Sequence, residues 1–286
     1  MTFEGTRRDA SGRAYPVSLH VDAFGCRSAP LPAGAPPRSV LFIGDSFTQA
    51  FDVSDDKAYW ARVGALRGFE THACGAGGYG TLQELLVLSD ALDRMDPAAV
   101  VLQFSSNDLV NNSFPLESRS FGNNNGMTRP YLVEDGRIER RLPKSFAPLR
   151  ELANRHVWSL YFIFSRLDRL SARFGHAIED DIARDPTVHP LFADAARITN
   201  TLLARFRERV GPRRKLFAFC VDETPPFSGE LRRLAAANGF TVVTGVPESL
   251  AAAEAEGIVT RAVDGAHWND EGHRIAGEVL SRTITH

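Results

Sequence analysis

The sequence predicts an α/β domain of three layers, with a central, mostly parallel five-stranded sheet held between helices. Two observations carry this reading. Short apolar runs recur along the chain, closed by glycine or other turn residues, and they are continuous rather than alternating, as in strands buried on both faces of a parallel sheet. Longer stretches with helical spacing separate them.

Taken in order, the first 38 residues are rich in Gly, Pro, Arg and Ser, and APLPAGAPPR ahead of Ser39 reads as a stiff connector. Residues 1–38 are therefore expected to be irregular. The first strand is SVLFIG (Ser39 to Gly44), followed by FETHA (Phe69 to Ala73), AVVLQF (Ala99 to Phe104), KLFAFC (Lys215 to Cys220) and FTVVTG (Phe240 to Gly245). Helices are expected over Lys57 to Leu66, Thr81 to Arg94, Pro190 to Val210, Ser228 to Asn238, Pro247 to Glu256 and Asp270 to Ser281. Residues 39–286 thus form one domain, interrupted by an insertion over 109–189 at one end of the sheet. The insertion is Asn-rich at first (NNSFPLESRSFGNNNG) and then aromatic and helical (HVWSLYFIFSRLDRL).

Composition narrows the function. Lysine plus arginine number 33 against 35 aspartates plus glutamates, so no field of one sign is available to gather nucleic acid, and no nucleic-acid partner is expected. Cys26, Cys74 and Cys220 lie far apart without CxxC spacing, and they read as core or loop thiols. No apolar run reaches the ~20 residues that span a bilayer, and none resembles a signal peptide. The chain as written is expected in the cytoplasm, or in the periplasm or outside the cell if an export signal has been trimmed from it.

In open parallel sheets, ligands bind beyond the carboxyl ends of the strands. Candidate chemistry follows four of these strands. After the first comes GDSFT, with Ser46 at the turn into a helix; the competing reading is that Asp45 or Ser46 only caps that helix. After the second comes CGAGGYGT, whose glycines can present bare N–H groups, Gly78 first among them; a plain turn or a nucleotide loop competes, although the G-x-G-x-x-G order is missing. After the third comes SSNDLVNN, where the Asn107 amide can donate to an oxyanion or simply serve a turn. Before the last helix stands VDGAHWNDEGH, in which Asp264 precedes His267 by three residues, a spacing that lets the carboxylate hold the imidazole that would take a serine proton. His273 competes for that role but falls inside the last helix, as a surface or packing residue. No HExxH or carboxylate cluster marks a metal site, and none is expected.

These four blocks together resemble the conserved blocks of the SGNH/GDSL hydrolases over Ser39 to about Leu280. The resemblance implies a flavodoxin-like sandwich and an ester hydrolase without cofactor. Ser46 would be the nucleophile, Asp264 and His267 the acid and base, and Ser46, Gly78 and Asn107 the oxyanion hole. Two features depart from the family pattern: Ser105 stands where the third block usually has glycine, and THACG lacks an asparagine near the glycine block, which leaves Gly77 and Gly78 both open. GYGT and FGCR (Phe24 to Arg27) resemble a bacterial subgroup, some of whose members modify cell-envelope polysaccharides by O-acetylation or deacetylation.

The expected activity is hydrolysis of a small ester through an acyl-enzyme, with a short-chain or O-acetyl ester, including an acylated carbohydrate, as substrate. An acyltransferase using the same triad and a noncatalytic carbohydrate-binding protein are the alternatives. Asn111, Asn112 and Asn123 to Asn125 could contact a sugar, and Trp158, Tyr161, Phe162 and Phe164 could form a lid; a flexible turn and an amphipathic core helix are the competing readings. Oligomeric state and the substrate-binding residues are left open.

Overall fold

The computed structural model describes residues 1–29, 38–124, 126–144, 146–147, 149–150, 177–186 and 189–285. Five parallel strands follow the apolar runs: β4 (Ser39–Gly44), β5 (Glu70–Gly75), β6 (Ala99–Phe104), β9 (Lys215–Cys220) and β10 (Thr241–Val243). A sixth, β3 (Arg27–Ala29), pairs antiparallel with β5 at the edge, giving the order β10-β9-β6-β4-β5-β3. In chain order the parallel strands run second, first, third, fourth, fifth, which is the flavodoxin-like arrangement. The direction of winding reverses between β4 and β6, and the crevice at that switch point is where such sheets bind ligands.

Alternation along each strand makes two cores. Leu41, Ile43, Val100, Leu102, Leu216 and Ala218 face α3 (Thr81–Leu92), α7 (Pro190–Val210) and α8 (Phe227–Ala237). Val40, Phe42, Val101, Phe217 and Phe219 face α2 (Tyr59–Arg67), α9 (Val246–Ala255) and α10 (Asp270–Ser281). Removing one such side chain, as in Phe42→Ala, costs ~3–5 kcal/mol by the usual cavity rule. The cores fix the strand ends, and with them the loops that carry polar side chains.

The N-terminal segment departs from the irregular structure expected for 1–38. β1 (Thr2–Arg8) and β2 (Ala14–His20) form an antiparallel hairpin, and its small core is Tyr15, Val17 and Leu19. The alternation of those three residues is a strand signal that Pro16 obscures; the proline is tolerated because the hairpin has free edges. The three cysteines are also not all thiols: Cys26 and Cys74 form a disulfide with Cα atoms 4.3 Å apart, and Cys220 is free and buried. The pairing was hidden because the short edge strand that brings Cys26 beside β5 was itself unread.

The helix α4 (Asn107–Asn111) runs into the start of the insertion, and α5 (Phe114–Glu117) leads to a hairpin of β7 (Arg129–Leu132) and β8 (Ile138–Arg141), with α6 (Ile178–Arg184) preceding α7. Asn125, Trp158, Tyr161, Phe162 and Phe164 lie outside the described residues, and so does any lid they could form. No helix among the described residues is long and apolar enough to cross a membrane.

Candidate active site

Ser46 is the first residue of a four-residue helix, α1 (Ser46–Gln49), at the end of β4. The turn is tight: a Cβ on Gly44 would lie 2.3 Å from Gln103 Oε1, so only glycine fits beside that amide. Gln103 Oε1 accepts the backbone N–H of Asp45 (3.1 Å) and Thr48 (3.2 Å). Asp45 caps the helix by accepting the Phe47 N–H at 2.9 Å. Capping by Asp45 and exposure of Ser46 are therefore compatible, and the Ser46 hydroxyl is left to face the crevice.

Its partner is His267. Nε2 lies 2.8 Å from Ser46 Oγ, and Nδ1 is hydrogen-bonded to Asp264 Oδ2. The other carboxylate oxygen of Asp264 accepts the N–H groups of Ala266 (2.9 Å) and His267 (3.0 Å), with Gly265 at φ 74° closing the turn. Burial alone would raise the Asp264 carboxyl, but the bonds from the His267 ring and from these two N–H groups hold it below its ordinary value. The imidazole is therefore oriented by a charged acceptor. Phe47 packs beside the ring at 5.2 Å between centroids.

Opposite this dyad, the N–H groups of the glycine loop can be accounted for one by one. Gly77 donates to Gln49 Oε1 (2.9 Å), Tyr79 to the Ala76 carbonyl (3.2 Å) and Gly80 to Gln83 Oε1 (3.2 Å). The Gly78 N–H has no such acceptor among the described residues, and Gly78 sits at φ 76°, where a side chain would be strained. The Ser46 N–H, at the first helical position, likewise has no intrahelical acceptor. Asn107 Nδ2 spends one N–H on Asn111 Oδ1 at 2.9 Å and keeps a second. Ser46, Gly78, Asn107 and His267 all line one cleft of about 420 Å³, with Asp45, Phe47, Gly77, Gly122, Asn123 and Met127 completing it. Asp264 stands behind His267 and does not line the cleft.

Several site-building residues give little sequence signal. Arg129, fully buried on β7, donates from Nη1 to the Gly78 carbonyl at 2.8 Å and pairs with buried Glu117 at 3.1 Å. Burial pushes the Glu117 carboxyl up to about 7 against the opposing effect of Arg129. Glu84 and Asp108 are buried beneath the rim, and burial raises both carboxyls well above the ordinary range, reinforced at Glu84 by Asp108 and Asp45 and at Asp108 by Asp45 and Asp222. Glu84 could have been noticed, because helical spacing places it on the same face as Thr81 and Leu88. Asp52, half-buried, brings a carboxylate oxygen within 4.8 Å of ligand-type atoms of Asp264 and His267. Both ring nitrogens of His267 are already engaged, so a metal ion there would have to displace Ser46 or Asp264.

His273 takes no part in the cleft. Its Nδ1 accepts the Tyr59 N–H at 3.2 Å, its ring stacks on Tyr59, and burial pushes it down to about 3, so it is a neutral packing residue. The side-chain amides of Asn111, Asn112 and Asn123 donate within the protein. Asn111 Nδ2 donates to the Asn123 carbonyl (2.8 Å), Asn112 Nδ2 to Thr81 and Thr199 (both 3.0 Å) and Asn123 Nδ2 to Glu179 (2.9 Å).

No family model matches the chain, and no curated protein matches it. Solved structures do resemble it. A lipase/acylhydrolase from Enterococcus faecalis is 12% identical, with 86% of this chain and 95% of that chain covered and a TM-score of 0.45. An acetylxylan esterase from Geobacillus stearothermophilus is 12% identical, over 87% and 94%, with a TM-score of 0.44. A lipolytic protein of the G-D-S-L family from Veillonella parvula is 11% identical, over 86% and 98%, with a TM-score of 0.42.

Proposed function

We propose that this protein is a serine ester hydrolase acting on a short-chain ester. The observation that carries the proposal is the relay from Ser46 Oγ to His267 Nε2 at 2.8 Å, with the far nitrogen of the same ring held by Asp264. A serine hydroxyl is a weak nucleophile until a base within hydrogen-bond reach can take its proton, and this arrangement supplies that base.

In the first half-reaction Ser46 Oγ attacks the ester carbonyl carbon while His267 takes its proton, and Asp264 stabilises the imidazolium. The carbonyl oxygen becomes an oxyanion, met by the Ser46 N–H, the Gly78 N–H and the free N–H of Asn107. Loss of one such donor costs ~10²–10³ in rate where it has been tested in other hydrolases. The intermediate collapses, His267 returns the proton to the departing alcohol, and an acyl-Ser46 ester remains. Water then repeats the sequence and releases the acid and free Ser46.

The cleft supports a small acyl group. Among its described lining residues only Phe47 and Met127 offer substantial apolar surface, and the rest are glycine or polar side chains. A long acyl chain needs a continuous apolar channel to offset its desolvation. The polar rim suits a hydroxylated alcohol portion such as a sugar.

The test is hydrolysis of p-nitrophenyl esters of increasing acyl length by the purified protein. Acetate and butyrate are expected to be turned over best. A preference for laurate would overturn the short-chain assignment, and absence of turnover with every ester would overturn the hydrolase reading.

A further inference from the structure

Beneath the cleft, a chain of hydrogen bonds has its direction fixed by one atom that can only accept. That atom is the Asn123 carbonyl oxygen. Asn111 Nδ2 lies 2.8 Å from it, so the Asn111 amide cannot be turned over without setting two acceptors against each other. Asn111 Oδ1 must then accept, and it meets Asn107 Nδ2 at 2.9 Å. The Asn107 oxygen is thereby directed at Ser105 Oγ, with which it is in hydrogen-bond contact. A serine hydroxyl has one proton, and here it is committed to Asn107. Yet Ser105 Oγ also lies 2.7 Å from Asp45 Oδ2. With the Ser105 proton used, that contact is a hydrogen bond only if the carboxyl group supplies a proton of its own.

We infer that Asp45 is a neutral carboxylic acid that donates to Ser105, so that the aligned chain from Asp45 through Ser105 holds the Asn107 amide with one N–H turned to the cleft. The catalytic consequence rests on the proposed role of Asn107 as an oxyanion donor; the protonation state does not. With an ionised Asp45, Ser105 would donate to it instead, and the Asn107 and Ser105 oxygens would face each other without a proton. Both Ser105 (4% exposed) and Asp45 (3% exposed) are too buried for water to screen that contact. The other oxygen of Asp45 accepts the Phe47 N–H, as the carbonyl oxygen of an acid can.

The surroundings agree. Burial raises the Asp45 carboxyl and outweighs the hydrogen bonds from Phe47, Ser105 and Gln103 and the proximity of His267, all of which act the other way. The other titratable groups facing it are Glu84 from α3, Asp108 from α4 and Tyr59 from α2, none of them a cation. Asp45 and Ser105 are therefore positioning residues: they act on the reaction through Asn107. Ser105 also acquires a reason to stand where the resembled family has glycine, since a glycine would leave both Asp45 and the Asn107 oxygen without this partner.

Isotope-edited infrared spectroscopy of the full chain, with ¹³C-labelled aspartate, tests the inference directly. The difference spectrum between wild type and Asp45→Asn at neutral pH is expected to show loss of one protonated-carboxyl C=O band; loss of carboxylate bands instead would overturn it. Kinetics supply a second readout. Asp45→Ala and Ser105→Ala should each lower kcat about tenfold with KM changed less than about twofold, the pattern of a lost transition-state contact. Asp45→Asn should regain most of what Asp45→Ala loses, because its amide donates to Ser105 and caps Phe47 as the acid does. An Asn variant as impaired as the Ala variant would show that the charge is required, and would overturn the inference. If the wild type hydrolyses no ester, the hydrolase reading fails while the infrared result still decides the state of Asp45.

Discussion

Two additions to the parallel sheet, the N-terminal hairpin and the insertion after β6, brace opposite sides of the cleft in different ways. The hairpin reaches the acid–base side. The Ala10 N–H donates to the Arg261 carbonyl (3.0 Å), and the Val263 N–H donates to the Arg8 carbonyl (3.0 Å), next to the Asp264–His267 turn. The insertion reaches the oxyanion side through side chains, the buried Arg129 that grips the Gly78 carbonyl and Asn111, which holds Asn107. Main-chain bracing tolerates changes of side chain, whereas bracing by buried side chains, a desolvated ion pair above all, does not. The two sides of the site should therefore differ in their sensitivity to mutation.

The largest effect is expected at Arg129. Arg129→Met leaves the Glu117 carboxyl buried without its paired cation, with the Tyr131 hydroxyl still donating to it (2.8 Å), which should cost about 3–5 kcal/mol in denaturant unfolding. Adding Glu117→Leu should restore most of that stability, because a packed apolar pair avoids the desolvation penalty. The double variant should still turn over about tenfold more slowly, since the Gly78 carbonyl has lost its anchor. A double variant with full activity would show that the insertion contributes to stability alone.

Next comes the Cys26–Cys74 disulfide, which ties the segment after the hairpin to the strand that ends at the glycine loop. Reduction, or the double change to serine, should lower stability by roughly 2–4 kcal/mol. A Tm that does not respond to reductant would remove this link between the two sides.

A third prediction concerns pH. His273 is pushed down to about 3 in the fold against 6.5 when free. Between these values the unfolded chain binds the extra proton, so stability is present above about pH 6.5 and falls by about 1.4 kcal/mol per unit as pH drops toward 3. His273→Phe should flatten that slope in pH-dependent denaturant melts, while an unchanged slope would assign the acid loss to other groups.

The smallest effect is expected from Arg7, an exposed side chain whose contact with Asp52 is long (3.8 Å) and whose hydrogen bond to the Phe51 carbonyl is 3.3 Å. Arg7→Ala should change stability by about 0–1 kcal/mol. A large loss would mean that the hairpin braces through side chains after all.

The parallel sheet was legible because its strands are continuous apolar runs, and the α7 range Pro190–Val210 was readable from an N-terminal proline and a glycine stop. The turn carrying Ser46, the glycine loop, Asn107 and Asp264-Gly-Ala-His267 were legible as polar blocks, each standing beside an apolar element. Their mutual geometry was not, because it depends on strand order. The hairpin was missed because only β2 alternates and Pro16 interrupts it. Arg129 and Glu117 were missed for a physical reason as well: charged residues are usually solvated, and nothing local marks a pair that desolvates together. Ser105 was read as a departure from a pattern, and only its two neighbours in space give it a role.

Labelling with a serine-reactive fluorophosphonate, followed by peptide mass spectrometry, shows whether Ser46 is a nucleophile activated by His267. Stoichiometric modification of Ser46 is expected, lost in Ser46→Ala and strongly slowed in His267→Ala. Modification at another residue, or an unlabelled wild-type protein, would contradict that role.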